Sequence, residues 1–161
     1  SLKDKIECRL QKNPKNIFLG VIQKEDKIDI TICNPPFHSS IEEAQKGSRR
    51  KIKNLKGRKV KTPELNFAGI NKELICFGGE SQFIETMIRE SKVRANSCFW
   101  FSTLVSKQSN VKRVTKILEE MKAVQVKTIP MGTGNKSSRI VAWTFLSTEE
   151  QKEWRETRWK S

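Results

Sequence analysis

No apolar stretch in the 161 residues approaches the roughly 18 that a membrane-spanning helix needs, and nothing resembles a signal peptide. A membrane is therefore not an expected partner. The four cysteines, Cys8, Cys33, Cys76 and Cys98, are widely and irregularly spaced, without a C-x-x-C pair. That spacing argues against zinc, and no metal is expected; reduced, buried thiols of a cytoplasmic protein are the simpler reading. Histidine occurs once, at His38. Acidic residues are scarce beside basic ones, 18 against 32, so the formal net charge is +14 and the isoelectric point near 9.9. Charge of this size favours a polyanion as partner. Hydrophobic content of 35% and a mean hydropathy of -0.62 are low but compatible with a folded domain, and the length suits one domain with a sizeable core.

What the chain does contain is organised around Asn34-Pro35-Pro36-Phe37. The tetrapeptide follows Lys27 to Cys33 (KIDITIC), a short β-branched run that alternates as a half-buried strand does. Two consecutive prolines lack N–H groups and have fixed φ, so they continue neither a sheet ladder nor a helix interior. The chain leaves the strand stiffly and displays its side chains and carbonyls at the carboxyl end, where open α/β sheets bind ligands. Such an exit suits transfer to an amino group whose lone pair is conjugated into a π system, as in adenine N6 or an amide. The Asn34 side-chain carbonyl and the Pro35 backbone carbonyl can accept the two amino hydrogens, and Phe37 can stack on a ring. This is positioning and electrostatic preorganisation, with no covalent intermediate. The plain alternative is a proline-stiffened strand exit that binds nothing.

The tetrapeptide resembles the Asn/Asp-Pro-Pro-aromatic motif of S-adenosylmethionine-dependent amino-group methyltransferases. Its wider context is similar to the bacterial adenine-N6 methyltransferases of large-subunit ribosomal RNA, the RlmF family, and their eukaryotic methyltransferase-like relatives. The matching residues are Cys33 to His38, Gly47-Ser48 with the basic run after it, Leu65-Asn66-Phe67 and Gly69, Gly78-Gly79-Glu80, Trp100-Phe101, Leu104-Val105-Ser106, Ser138-Arg139 and Ala142 to Phe145. The resemblance implies a three-layer α/β fold, that of class I (Rossmann-like) methyltransferases, ending in an antiparallel hairpin whose last strand lies between the fifth and sixth. It implies S-adenosylmethionine as cofactor, with Asn34, Pro35, Pro36 and Phe37 at the catalytic centre and Asn34, Lys12 and Asn13 near the donor. It also implies that the glycine-rich donor-binding strands of the family precede this stretch and are absent from the chain. The fourth strand's edge is then left unpaired, as expected for the C-terminal portion of a methyltransferase domain.

Taken in order, Ile6 to Leu10 (IECRL) reads as a short strand, the third of the sheet by the resemblance, and Lys12 to Asn16 as a turn. Ile17 to Ile22 is apolar but too short to assign. After Phe37, His38 fits loop packing or RNA contact better than catalysis, and Ser39 or Ser40 can cap a short helix that stops near Gly47. Lys46 to Lys61 carries nine Lys or Arg residues among sixteen and no acid, and is read as a basic flexible loop. Helices are expected over Ser81 to Ala95 and Val111 to Lys122, with Phe83, Ile84, Met87, Ile88 and Ser91 on one face of the first. The paired glycines Gly78 and Gly79 precede them. Cys98 to Val105 (CFWFSTLV) suits a central strand covered on both faces. Val124 to Met131 and Arg139 to Leu146 alternate as a hairpin around Gly132 to Ser138, and Ser147 with Glu150 forms a capping-box signature opening a terminal helix over 147–159. Trp154 is expected to anchor that helix and Trp159 to fray.

Together these readings predict methyl transfer from S-adenosylmethionine to N6 of an unpaired or flipped adenine in large-subunit ribosomal RNA. A glutamine-N5 protein methyltransferase needs a similar tetrapeptide but gives no reason for the basic run. A third reading is an RNA-binding fragment without catalysis. The expected RNA contacts are Arg49, Arg50, Lys51, Lys53, Arg58 and Lys59, with Lys136 and Arg139 from the hairpin turn. If five or six of these charges meet single-stranded phosphates, log affinity falls with log salt at a slope of about −4 in a filter-binding titration; a slope near zero excludes the basic loop as an RNA clamp.

Overall fold

The computed structural model describes residues 2–36, 76–132 and 138–160. Its sheet has four strands: β1 (Ile28–Ile30), β2 (Cys98–Val105), β3 (Gln125–Pro130) and β4 (Arg139–Thr144), in the order β1-β2-β4-β3. Strands β1 and β2 are parallel and the other two pairs antiparallel, so the last strand is inserted between its two predecessors, as expected. Among the described residues three α-helices accompany the sheet: α1 (Gly79–Val93), α2 (Gln108–Glu120) and α3 (Thr148–Trp154), the last running into a π-type turn over Arg155–Trp159.

Strand β2 is the central element. Cys98, Phe101 and Val105 join the core that Ile84, Met87 and Ile88 of α1 and Val114, Ile117 and Leu118 of α2 build against β4. Phe99 packs instead with Leu146 and Trp154, on the side that α3 covers. With both faces occupied, β2 reads as a nearly continuous apolar run. The helix stripe of α1 lands where its spacing puts it, and even its polar member is used: the Ser91 hydroxyl accepts from Trp143 Nε1 at 2.9 Å and donates to the Ile88 carbonyl at 2.7 Å. The capping box of α3 closes both ways, Glu150 N to Ser147 Oγ at 3.2 Å and Ser147 N to Glu150 Oε2 at 2.7 Å.

Two expectations are corrected. Residues Ile6 to Leu10 form no strand, because a strand exists only through its ladder and no described strand lies beside them. Arg9 is committed elsewhere, to Glu7, to Asp26 and to the Val21 carbonyl. Trp159 does not fray. Although 46% exposed, it donates its indole N–H to Asp29 Oδ1 at 2.8 Å, beside the equal bond from Trp154, and its ring centroid lies 4.7 Å from that of Phe99. These donors, with Arg158, hold the Asp29 carboxyl below the usual carboxylate range. The expected helix after Ser40, the segments around Leu65 to Gly69 and most of the hairpin turn lie outside the described residues.

The ambiguous stretch Ile17 to Ile22 is a turn, and its geometry is imposed from α1. A single oxygen, Glu90 Oε2, accepts the backbone N–H groups of Ile17, Phe18 and Leu19 at 2.9, 2.6 and 3.0 Å. This seats Phe18 against Phe101, with ring centroids 5.4 Å apart. Removing the carboxylate orphans three donors beside the core. Glu90→Ala is expected to destabilise the protein by about 3 kcal/mol or more, seen as a lower urea midpoint with Glu90→Gln intermediate. An unchanged midpoint would refute the latch.

Candidate active site at the sheet's carboxyl edge

The ladder between β1 and β2 continues past Ile30 to the end of the expected strand. Thr31 N–H donates to the Trp100 carbonyl at 2.9 Å, and Leu104 N–H to the Cys33 carbonyl at 2.9 Å. Between these rungs the pairing is carried by hydroxyls: Ser102 N–H donates to Thr31 Oγ1 at 3.1 Å and Ser102 Oγ to the Thr31 carbonyl at 2.6 Å. Asn34 follows directly. It is exposed, whereas Pro35 is buried and Pro36 half-buried, so the prolines fasten the exit while the amide faces outward. Phe37 lies outside the described residues.

The edge beside Asn34 is braced by Glu80. This carboxylate is only 3% exposed and accepts Ser106 N–H at 2.7 Å through Oε1 and Asn110 Nδ2 at 2.6 Å through Oε2. It thereby ties the first turn of α1 to the loop leaving β2. The approach requires the two glycines before it. Gly78 has φ 81° and Gly79 φ 67°, and a Cβ on Gly78 meets the Gln82 Cβ at 2.6 Å. A glutamate directly after Gly-Gly at a helix start was the available signal for this brace. Its partners 26 and 30 residues away were not readable.

Arg139 opens β4 opposite Val105, the last residue of β2. It therefore stands on the same edge as Asn34, about 10 Å away at two strand spacings. Lys12 and Asn13 lie exposed in the 11–19 turn, where Asn13 Oδ1 caps Lys15 N–H at 3.0 Å and Asn13 N–H is held by Gln11 Oε1 at 3.0 Å. Among the described residues, no hydrogen bond joins them to Asn34. Arg49, Arg50, Lys51, Lys53, Arg58, Lys59, Lys136 and His38 lie outside the described residues. A cleft of about 370 Å³ opens at the other end of β1, lined by Lys27, Trp154 and Arg158 together with Glu150 and Glu153. Its balanced charges and its distance from the proline exit separate it from the candidate site.

Solved structures share this fold. The hMettl16 catalytic domain in complex with MAT2A 3'UTR hairpin 1 matches with a TM-score of 0.60 and 19% identity, over 81% of this chain and 43% of that one. The N-terminal domain of human METTL16 in complex with SAH matches with a TM-score of 0.54 and 18% identity, over 83% and 40%. The sheet order and these likenesses define a class I methyltransferase fold. A family model described as RNA methyltransferase matches residues 1–147, and the chain belongs to that family. It is 52% identical over 159 residues to the Ribosomal RNA large subunit methyltransferase F of Cytophaga hutchinsonii, covering 99% of this chain and 49% of that protein. The chain spans about half the length of the curated relatives it matches.

Burial raises the Cys33 thiol above its ordinary range and pushes Cys98 up to about 12, whereas Cys8, expected to be buried with the others, is exposed. Because the thiolate is the reactive form, iodoacetamide at pH 8 should modify Cys8 first, Cys33 more slowly and Cys98 only after unfolding, followed residue by residue by mass spectrometry. Equal rates for Cys8 and Cys98 in the folded protein would contradict this packing.

Proposed function

We propose that the intact protein transfers a methyl group from S-adenosylmethionine to N6 of an adenine in large-subunit ribosomal RNA, with Asn34 to Phe37 at the reacting centre. The observation that carries this reading is the placement of Asn34, exposed one residue beyond the last ladder bond and fixed from behind by a buried proline. The names of relatives about twice the length of this chain, the basic run at Lys46 to Lys61 and the position of Arg139 on the same edge support RNA as the substrate.

Adenine N6 is a weak nucleophile because its lone pair is delocalised into the ring. The Asn34 side-chain carbonyl and the Pro35 carbonyl accept its two hydrogens and hold the nitrogen in line; Phe37 stacks on the base, worth roughly 1 to 3 kcal/mol by comparison with single-strand-binding proteins. As the nitrogen gains a fourth bond it becomes positively charged and its proton acidic, so proton loss to solvent needs no dedicated base. The donor set fits S-adenosylmethionine to this extent: an exposed amide at the carboxyl edge, with the 11–19 turn as the other candidate contact through Lys12 and Asn13. When bound, that cofactor supplies an electrophilic methyl group on a sulfonium centre. The basic residues Arg49, Arg50, Lys51, Lys53, Arg58, Lys59, Lys136 and Arg139 are proposed to neutralise phosphates around the target, which must be unpaired or flipped to reach the edge.

Asn34→Ala in the intact protein is expected to lower turnover on ribosomal RNA by at least about a hundred-fold while RNA affinity changes little, because the amide acts on the reacting nitrogen and not on the phosphates. The readout is tritium transfer from labelled donor with filter binding in parallel. Preserved turnover excludes Asn34 from the centre.

A further inference from the structure

A regular parallel ladder needs only backbone groups. At the one rung between Trp100 and Leu104 the two strands depart from it: Ser102 N–H, which a direct rung aims at the Thr31 carbonyl, meets the Thr31 hydroxyl at 3.1 Å. The Thr31 carbonyl so vacated is taken by the Ser102 hydroxyl at 2.6 Å. Two side chains are thus inserted between the backbones, and the register is nevertheless the same above and below, through Thr31 N to Trp100 O and Leu104 N to Cys33 O. Ser102 is buried on the central strand, where an unpaired hydroxyl is costly, and this carbonyl is its partner. The hydroxyl pair stands in for the direct bond from Ser102 N–H to the Thr31 carbonyl, between backbone bonds at Thr31 N–H and at the Cys33 carbonyl. The direction in which the chain then enters Asn34 and Pro35 is set by the hydroxyl pair and the Cys33 bond, the second of which is ordinary backbone.

We infer that Thr31 and Ser102 are positioning residues which, through the spacing of this rung, set the angle at which Asn34 presents its amide to the amino group. The inference rests on the reading of Asn34 as the residue that holds that group. Neither hydroxyl touches substrate; both act through three residues of backbone. Loss of either oxygen lets the rung close to a direct N–H to carbonyl bond or leaves a buried group unpaired, and Asn34 moves with the strand in both cases. Catalysis by orientation is sensitive to shifts of this size, whereas binding spread over many phosphates is not.

The test compares Thr31→Val, Thr31→Ser and Ser102→Ala in the intact protein, with S-adenosylmethionine and ribosomal RNA as substrates and thermal unfolding as a control. Thr31→Val and Ser102→Ala are expected to lower kcat by about ten- to a hundred-fold with KM for RNA within about a factor of two, and Thr31→Ser to restore kcat. The double variant should be no worse than the poorer single one, since either change already dismantles the rung. Unchanged kcat in Thr31→Val and Ser102→Ala, or a loss that Thr31→Ser does not repair, overturns the inference. Should Thr31→Val fail to fold, Ser102→Ala, which removes one oxygen only, decides alone. A readout independent of turnover is the alkylation rate of Cys33, the residue before Asn34. It should rise several-fold in Thr31→Val and not in Thr31→Ser, and an unchanged rate counts against the inference. If the unaltered intact protein methylates no adenine, the reading of the site fails, and Cys33 labelling still decides whether the hydroxyl pair sets the exit.

Discussion

The double burial of β2 is the constraint on which the other elements depend. A strand with both faces covered and both edges paired has no freedom of register, so each neighbour is located by what it offers to that strand. Helices α1 and α2 supply one apolar face, Leu146 and Trp154 the other, β4 one edge and β1 the second. The carboxyl ends of β1 and β2 and the start of β4 are therefore carried to one edge by the same packing that makes the core. An exposed amide at that edge, Asn34, stands on rigidity already present for stability.

The polar connections around that edge follow a common pattern. Glu80 and Glu90 sit on the same helix, each nearly buried, and each spends its carboxylate on groups of another segment: Glu80 on the loop after β2, Glu90 on the turn before β1. Helix α1 thus holds both the turn before β1 and the loop after β2 from one rigid body. Among the described residues no buried side-chain nitrogen or oxygen lacks a partner, so the cost of burying these acids is met by hydrogen bonds. At the other side of the molecule Asp29 performs the equivalent service for the terminal helix, gathering Trp154, Trp159 and Arg158. Each of these acids restrains a segment whose own sequence is short or irregular.

Strand β1 forms one edge of the described sheet. Ile30 is 54% and Ile32 87% exposed, unusual for β-branched residues in a parallel pair, which ordinarily are buried on both faces. That exposure shows why the proline exit matters: an edge strand with one partner has little to hold its end in place, and Pro35, buried behind Asn34, supplies what a second neighbour otherwise does.

Much of this was legible before any coordinates, for a physical reason. Helix stripes, the Ser147–Glu150 capping box, the glycine pair with positive φ and the apolar run of β2 are interactions between residues a few positions apart, and such interactions leave their spacing in the sequence. So does the proline pair that fixes how the chain leaves β1. The strand expected at Ile6 to Leu10 failed because local alternation cannot say whether a partner is present. The turn at Ile17, the indole bonds of Trp154 and Trp159 to Asp29 and the hydroxyl rung of Thr31 and Ser102 join residues 71 to 130 positions apart. The sequence by itself determined most of the elements, their order and the proline-stiffened exit from β1; only the tertiary structure decided which polar groups brace that exit, because long-range hydrogen bonds depend on where segments meet and not on how they are spelled.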